Sequence, residues 1–390
     1  MDLCLRYTKD VEMESKLGIG QIGYGSIGRV HAANWRNLHL YYANMPYELC
    51  LRHIATRREE TAERAAKMVG FERASINYLD VIHDPEVQLV DICGPNSLHH
   101  PAFMEAIKSG KHIYCEKPLA RNLSEAEEMS NASRSSDSVV QIAFNYRFIP
   151  AVTQAKSMIM DGFLGDTLVF RAQYLHSSYL NPERPISWRL SKAQGGGGAL
   201  IDLGSHAIDL MHYLTGEFKK VLAQTRTFIR SRPLEKGSER HGTVDVDDHA
   251  MLQIELVEGG LGTIEVSRVA MGSTDDLRFE IHGTRGALAF DVMRPNWLLA
   301  YDGSGSGDGE EDQRGYKHIQ SMHKYASSKI PGSRAMVSTM QMHADSQYRM
   351  LEAIAGRREP EPSCEDGYRT QCVIEAAYQS SHKGEWVEVH

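Results

Sequence analysis

Short apolar runs alternate with helical stretches through the first 150 residues. Residues 17–22 form an apolar run that leads straight into a glycine cluster, and residues 30–35 begin a helical stretch. Residues 49–55 predict a second strand, and 59–69 an amphipathic helix rich in alanine, glutamate and lysine. Residues 89–93 make a short apolar run of the kind seen in buried parallel strands. A helix is expected over 101–109, with Pro101 suited to its first turn and Gly110 to the turn that follows. Residues 112–115 predict another strand and 124–133 another helix, in which Ser124 and Glu127 have capping-box spacing. Residues 139–144 close the series. Such alternation implies a doubly wound parallel α/β sheet of the Rossmann type.

The pattern changes after about residue 150. Residues 167–176, 221–230, 249–257, 262–269, 277–282 and 287–291 read as strands, several with period-two alternation, as in Gln253-Ile254-Glu255-Leu256. Few helices separate the later ones, so an open-faced, mainly antiparallel sheet in an α+β domain is expected. Residues 302–315, with five glycines and five acidic residues, predict a loop. Helices are expected over 344–356 and 367–381, and a final strand over 386–389. The predicted division is an extension over 1–16, one domain over 17–145 and a second over 146–390, whose last helices can pack back on the first.

Composition narrows the class. A chain of 390 residues is too long for one compact core. With 42% hydrophobic and 24% charged residues it matches ordinary globular proteins. A formal charge of -8 argues against nucleic acid as a general partner. No apolar run reaches the roughly 18 residues a membrane helix needs. Residues 1–16 lack a signal-peptide core, and Met13 is an alternative start to Met1. The six cysteines, Cys4, Cys50, Cys93, Cys115, Cys364 and Cys372, form no close-spaced pair and point to reduced thiols in the cytoplasm.

Three separated segments carry candidate chemistry. Gly23-Tyr24-Gly25-Ser26-Ile27-Gly28 follows a predicted strand and opens a helix. There Gly23 permits a tight turn, Gly25 lets backbone approach a pyrophosphate, and Gly28 allows close helix–strand packing. Ser26 and Ile27 begin the helix whose free N–H groups can face phosphates. An acid binding the ribose of NAD is expected at the end of the second strand. Thr56 stands there instead, followed by Arg57 and Arg58. Arginine can pair with the 2′-phosphate of NADP, so NAD and NADP both stay open. Pro95, Asn96 and His99 follow the fourth strand, where ligands of such sheets bind. His99 and His100 are adjacent, a spacing that seldom makes a metal site by itself, and no metal is expected.

Glu116-Lys117-Pro118 follows the strand at 112–115, so Lys117 can project into the crevice as a proton donor or orienting charge, or lie at the surface paired with Glu116. Asp202, His206 and Asp209 fall on one face of a predicted helix. Asp202 is placed either to cap that helix or to bind a ligand. His206 is placed either as a buried structural residue or as a base for a hydroxyl proton. The preceding Gly195-Gly196-Gly197-Gly198 permits close backbone approach to a ligand.

Taken in order, the glycine motif, Cys115-Glu116-Lys117-Pro118-Leu119-Ala120, Asn145-Tyr146-Arg147-Phe148, Trp188-Arg189 and the aspartate-to-histidine helix resemble the Gfo/Idh/MocA oxidoreductases over about residues 17–390. That family includes glucose-fructose oxidoreductase and inositol dehydrogenase. Within it the chain looks most like the levoglucosan-dehydrogenase-like sugar dehydrogenases. The resemblance implies a dinucleotide-binding domain followed by a substrate and oligomerisation domain, in a homodimer or homotetramer. It implies that Lys117, Asp202 and His206 are catalytic. It places Glu116 with the cofactor, and Arg147, Trp188 and Arg189 along or behind a sugar pocket, with Tyr174, His176 and Tyr179 as weaker candidates. The implied reaction moves a hydride between NAD or NADP and a secondary alcohol or ketone of a sugar or inositol. A glycosidase working through transient oxidation and a non-catalytic dinucleotide sensor are the alternatives.

Overall fold

The structure, a computed structural model, describes residues 15–303, 315–321 and 339–390. Most of the expected N-terminal extension and of the loop at 302–315 lies outside the described residues. The first half builds β1 (Lys16–Ile22), α1 (Ser26–Tyr41), β2 (Glu48–Ala55), α2 (Glu59–Val69), β3 (Arg73–Ser75), α3 (Tyr78–Ile82), β4 (Leu89–Ile92), α4 (Asn96–Lys108), β5 (His112–Cys115), α5 (Leu123–Arg134) and β6 (Val140–Ile142). The strands form one parallel sheet in the order β3-β2-β1-β4-β5-β6. The order reverses between β1 and β4, the position at which doubly wound sheets open a ligand crevice. Residues of β4 are buried throughout, because helices cover both faces.

Two helix starts differ from expectation. α4 begins at Asn96 with Pro95 as its cap, so Pro101 lies inside the helix rather than in its first turn. The Pro101 ring is exposed, so the helix gives up one backbone bond on its solvent side. α5 is capped by Asn122, whose side chain accepts from Glu125 N, and not by Ser124. Asn122 won because the chain turns two residues earlier, with Glu125 reaching back to Arg121 N. The two short elements β3 and α3 carry too few residues to show a period.

The second half adds α6 (Pro150–Met160), β7 (Thr167–Leu175), α7 (Lys192–Gly195), α8 (Ser205–Thr215), β8 (Phe218–Arg226), β9 (Ser231–Pro233), β10 (His241–Thr243), β11 (His249–Leu256), β12 (Leu261–Ser267), β13 (Asp276–Gly283), β14 (Gly286–Asp291), β15 (Trp297–Asp302), β16 (Lys317–Gln320), α9 (Thr339–Ile354), α10 (Cys364–Lys383) and β17 (Val387–Glu388). Nine strands form one sheet, β16-β15-β14-β13-β7-β12-β11-β8-β17, antiparallel except where β12 runs parallel to β7. Its inner face packs Phe170, Ile264, Ile254 and Phe279 against α8 residues such as Ile208 and Met211. The outer face alternates exposed residues, among them Val169, Met251 and Leu261.

α9 returns to the first sheet. Tyr348 stacks on Tyr42 at 3.9 Å, and Tyr42 donates to Asp345 at 3.0 Å. α9 therefore delivers Met342 and His343 to the crevice beyond β1, β4 and β5.

Candidate active site

That crevice encloses about 590 Å³. Its first wall is the glycine turn. Gly23 has φ +101°, and a Cβ there would fall 2.7 Å from the Cys93 carbonyl oxygen. A Cβ on Gly28 would fall 2.5 Å from the Gly23 carbonyl oxygen, so this glycine serves helix packing beneath the crevice. Around Gly25 no protein atom lies within 4 Å of that position, which leaves room for a ligand. The Gln21 amide pins the turn by donating to both the Gly23 and Gly28 carbonyls at 2.8 Å. Gly25 caps α1 without a side-chain bond, and the first turn holds no acid, so its N–H groups can receive an anion. Ser26 and Ile27 line the crevice beside them. A dinucleotide fits this wall on these grounds.

Thr56 and Arg57 also line the crevice, with Arg58 and Thr61 beyond them. The Thr56 hydroxyl donates to the Arg58 carbonyl at 2.8 Å, and among the described residues no carboxylate lines the crevice at this end of β2. Pro95 and Asn96 line the opposite side. Asn96 donates to the Gly195 carbonyl at 2.8 Å and so joins the two halves of the molecule. His99 does not reach the crevice. Its fully buried ring lies between the Pro118 and Gly94 carbonyls at 2.8 and 3.2 Å, where burial lowers its pKa and its role is to hold the two loops.

Lys117, Asp202 and His206 come together on the crevice floor. Lys117 follows β5 and donates through Nζ to Asp202 Oδ1 at 3.1 Å and to the Asp202 carbonyl at 2.9 Å. Asp202 does not cap α8. It lies in a π-helical turn, Leu200–Gly204, that runs into α8, a distortion common at functional sites. The cap comes from Asp247, whose carboxylate accepts from Gly198 N at 2.9 Å and Leu200 N at 2.8 Å. Asp202 is thereby free to receive Lys117 on one oxygen and Arg268 on the other, at 3.0 Å. Burial opposes its charge, but Lys117, Arg268 and Arg189 hold it ionised well below the usual carboxylate range.

His206 stands on the next turn, packed edge-on against Tyr146 at 4.7 Å and near Tyr174 at 5.9 Å. Burial, reinforced by the Lys117 charge, lowers its pKa well below the ordinary 6.5 against the pull of Asp202. The ring is therefore neutral near pH 7 and able to accept a proton. Trp188 and Arg189 form the outer lip, with the guanidinium 4.2 Å over the indole ring.

Several expected positions lie elsewhere. Arg147 is buried away from the crevice, where it donates to Asp209 at 2.9 and 2.5 Å and to Asp366 at 3.0 Å. Asp209 is thus its ion-pair partner and takes no place on the floor. Tyr174 stands behind the wall, bonded to Tyr146 at 2.6 Å and Asp275 at 2.7 Å, and His176 packs on it. Tyr179 lies beneath the Arg184 and Arg268 guanidiniums. Three of the four glycines of 195–198 are demanded by protein neighbours: a Cβ on Gly196 would fall 2.2 Å from the Arg121 carbonyl oxygen, on Gly197 2.2 Å from the Tyr378 hydroxyl, and on Gly198 1.8 Å from the Asp247 carbonyl oxygen. Asn145, Tyr146, Arg268 and His343 were not anticipated. Tyr146 adjoined a residue already singled out, whereas Arg268 and His343 carried no signal in sequence.

Comparison with known proteins gives the same grouping. The NAD-binding Rossmann-fold domain of an oxidoreductase family matches residues 17–144, and the C-terminal alpha/beta domain of that family matches residues 156–389. Levoglucosan dehydrogenase of Pseudarthrobacter phenanthrenivorans is 34% identical over 96% of this chain and 98% of its own. A solved structure of levoglucosan dehydrogenase in complex with NADH and levoglucosan superposes with a TM-score of 0.91 at 35% identity, over 96% of this chain and 99% of that one. Myo-inositol 2-dehydrogenase of Thermotoga maritima is 27% identical over 77% of this chain and 81% of its own. Matched in both domains, the chain belongs to the Gfo/Idh/MocA oxidoreductase family.

Proposed function

We propose that this chain is an NAD-dependent dehydrogenase that oxidises a secondary alcohol of a sugar or inositol, and reduces the ketone in reverse. The observation that carries this reading is the meeting of Lys117, Asp202 and His206 on the floor of a crevice walled by the glycine turn. The relatives named levoglucosan and myo-inositol dehydrogenase, and the NADH complex, support it. Gly23, Gly25, Ser26, Ile27, Thr56, Arg57, Pro95 and Asn96 are the residues to hold the cofactor. When bound, the nicotinamide supplies the hydride acceptor or donor.

The side chains do the rest. His206, neutral because it is buried, takes the hydroxyl proton. Asp202 stays ionised, fixes the Lys117 ammonium and offers a negative charge toward the imidazolium that forms. Lys117 stabilises the alkoxide as the proton leaves. Trp188 offers an apolar face to a sugar ring, and Arg189 donors to its hydroxyls. The exposed outer sheet face around Val169, Met251 and Leu261 supports pairing with further copies of the chain, as a homodimer or homotetramer. Five described cysteines are free thiols, which supports a cytoplasmic setting.

The experiment is a panel of sugars, anhydrosugars and inositols with NAD and NADP, followed by reduced-nicotinamide absorbance. Growth of that absorbance with one of them supports the reading. Release of free sugar from a glycoside without net reduction would replace it with a glycosidase, and dinucleotide binding without any turnover with a sensor.

A further inference from the structure

Beneath the crevice floor a line of buried polar side chains runs from the interior of α1 to Lys117. It begins at Trp35, whose Nε1 donates to Asp91 at 2.7 Å. The Asp91 carboxylate also faces His31 Nδ1 at 3.0 Å and the Cys93 thiol at 3.1 Å. On the far side of the ring, His31 Nε2 lies 3.1 Å from Glu116 Oε1. The second Glu116 oxygen accepts the Lys117 backbone N–H at 3.1 Å. Lys117 Nζ then reaches Asp202. His31 and Asp91 are fully buried, and Glu116 is nearly so.

A neutral imidazole donates from one nitrogen only. Here one ring nitrogen bonds Asp91 and the other lies beside Glu116, surroundings that favour an imidazolium. Burial disfavours that charge, but the Asp91 carboxylate bonded to Nδ1 outweighs it and lifts the His31 pKa above the ordinary range. The neighbouring His343 ring, 5.4 Å away, is pushed by burial down to about 3 and stays neutral. His31 thus sets a buried positive charge between two acids, and against the cost of burial it holds the Glu116 carboxyl below its ordinary range, since buried charges persist only when paired.

We propose that His31, clamped between Asp91 and Glu116, is a positioning residue that fixes the backbone of Lys117 so that its ammonium meets Asp202. The inference rests on the dehydrogenase reading for its kinetic part only. Glu116 carries the coupling, with one oxygen for the buried ring and the other for the lysine that faces the crevice. Without the imidazolium, Glu116 loses its counter-charge and the loop after β5 loses its anchor. A displacement of about 1 Å at a catalytic group is enough to cost ~100-fold in rate.

The test uses His31→Gln alone and together with Glu116→Gln. The single variant leaves two buried acids without a cation. The double variant removes one of those acids and keeps an amide oxygen as acceptor for the Lys117 N–H. For His31→Gln the expected result is a kcat lower by about 10- to 100-fold, with sugar KM and NADH Kd within about threefold. Its crystal structure is expected to show Lys117 Nζ away from Asp202, a readout that needs no substrate. The double variant is expected to regain at least about fivefold of the lost kcat. Should His31→Gln fail to fold, Glu116→Ala, which removes both the contact with His31 and the link to Lys117, is expected to give the same loss. Wild-type kcat with Lys117 still on Asp202 in either variant, or a double variant no faster than the single, overturns the proposal. Absence of turnover in the wild type counts against the dehydrogenase reading and leaves the structural readout of His31 intact.

Discussion

Lys117 Nζ bonds both the carboxylate and the carbonyl of Asp202, at 3.1 and 2.9 Å, across 85 residues of sequence. The contact joins the loop after β5 of the first sheet to the π-helical turn before α8. In the proposed reaction it brings an ammonium to the place where negative charge develops on a substrate oxygen. Lys117→Met keeps the length of the side chain and removes the charge. The expected outcome is a loss in kcat/KM of about 100- to 10,000-fold with NADH affinity nearly unchanged, read by steady-state kinetics and NADH fluorescence.

The pH profile follows from His206. Its pKa is lowered below the ordinary 6.5 mainly by burial and then by Lys117. The base works when neutral, and its neutral fraction falls only as pH drops through that lowered value. The kcat/KM for alcohol oxidation is therefore expected to pass through pH 6.5 without loss and to fall on the acid side of it. Removing the Lys117 charge raises the His206 pKa, so the acid limb of Lys117→Met moves to higher pH. A wild-type limb above pH 7 would contradict the assignment.

Cofactor choice turns on Thr56. Its hydroxyl is used within the loop, on the Arg58 carbonyl, and Arg57 borders the crevice. With no acid to bind ribose hydroxyls or repel a 2′-phosphate, the wild type is expected to accept NADP as well as NAD. Thr56→Asp supplies that acid. The ratio of kcat/KM for NAD over NADP is expected to rise by at least about tenfold, measured with one sugar at saturation.

The parallel sheet was legible because its strands and helices carry full apolar periods, and the glycine turn because its spacing has one well-defined use. Lys117, Asp202 and His206 could be picked out by residue type beside predicted strand and helix ends. What could not be read was contact made through the fold. Arg147 lies next to Tyr146, yet the 3-10 turn Asn145–Phe148 sends Arg147 to Asp209 and leaves Tyr146 lining the crevice. The cap on the Asp202 turn comes from Asp247, more than forty residues away, so Asp202 looked like its own cap. His343 arrives on α9, which no local pattern ties to β5.

Acid stability gives an independent check on the interior of α8. His212 is half-buried, packs edge-on to Phe218 at 4.0 Å and has its pKa pushed down to about 3 by the loss of water around its ring. Its contribution to stability is full above the unfolded value near 6.5. It declines as pH falls below that value, because the unfolded chain binds the proton first. His212→Leu removes that uptake. Urea unfolding at pH 7 and pH 5 is expected to show a pH dependence flatter by up to ~1.4 kcal/mol per unit, with stability at pH 7 changed by less than about 1.5 kcal/mol. An unchanged slope would mean that His212 is accessible to protons in the folded state.

The base itself is best examined in His206→Asn, which retains a polar side chain of similar size but cannot take up a proton. NADH binding and formation of NADH from the best sugar of the panel are measured side by side on the same preparation. The predicted result is an NADH Kd within about threefold of wild type and a kcat lower by at least about 100-fold. A variant that binds NADH and still turns over at the wild-type rate would show that proton removal takes place elsewhere.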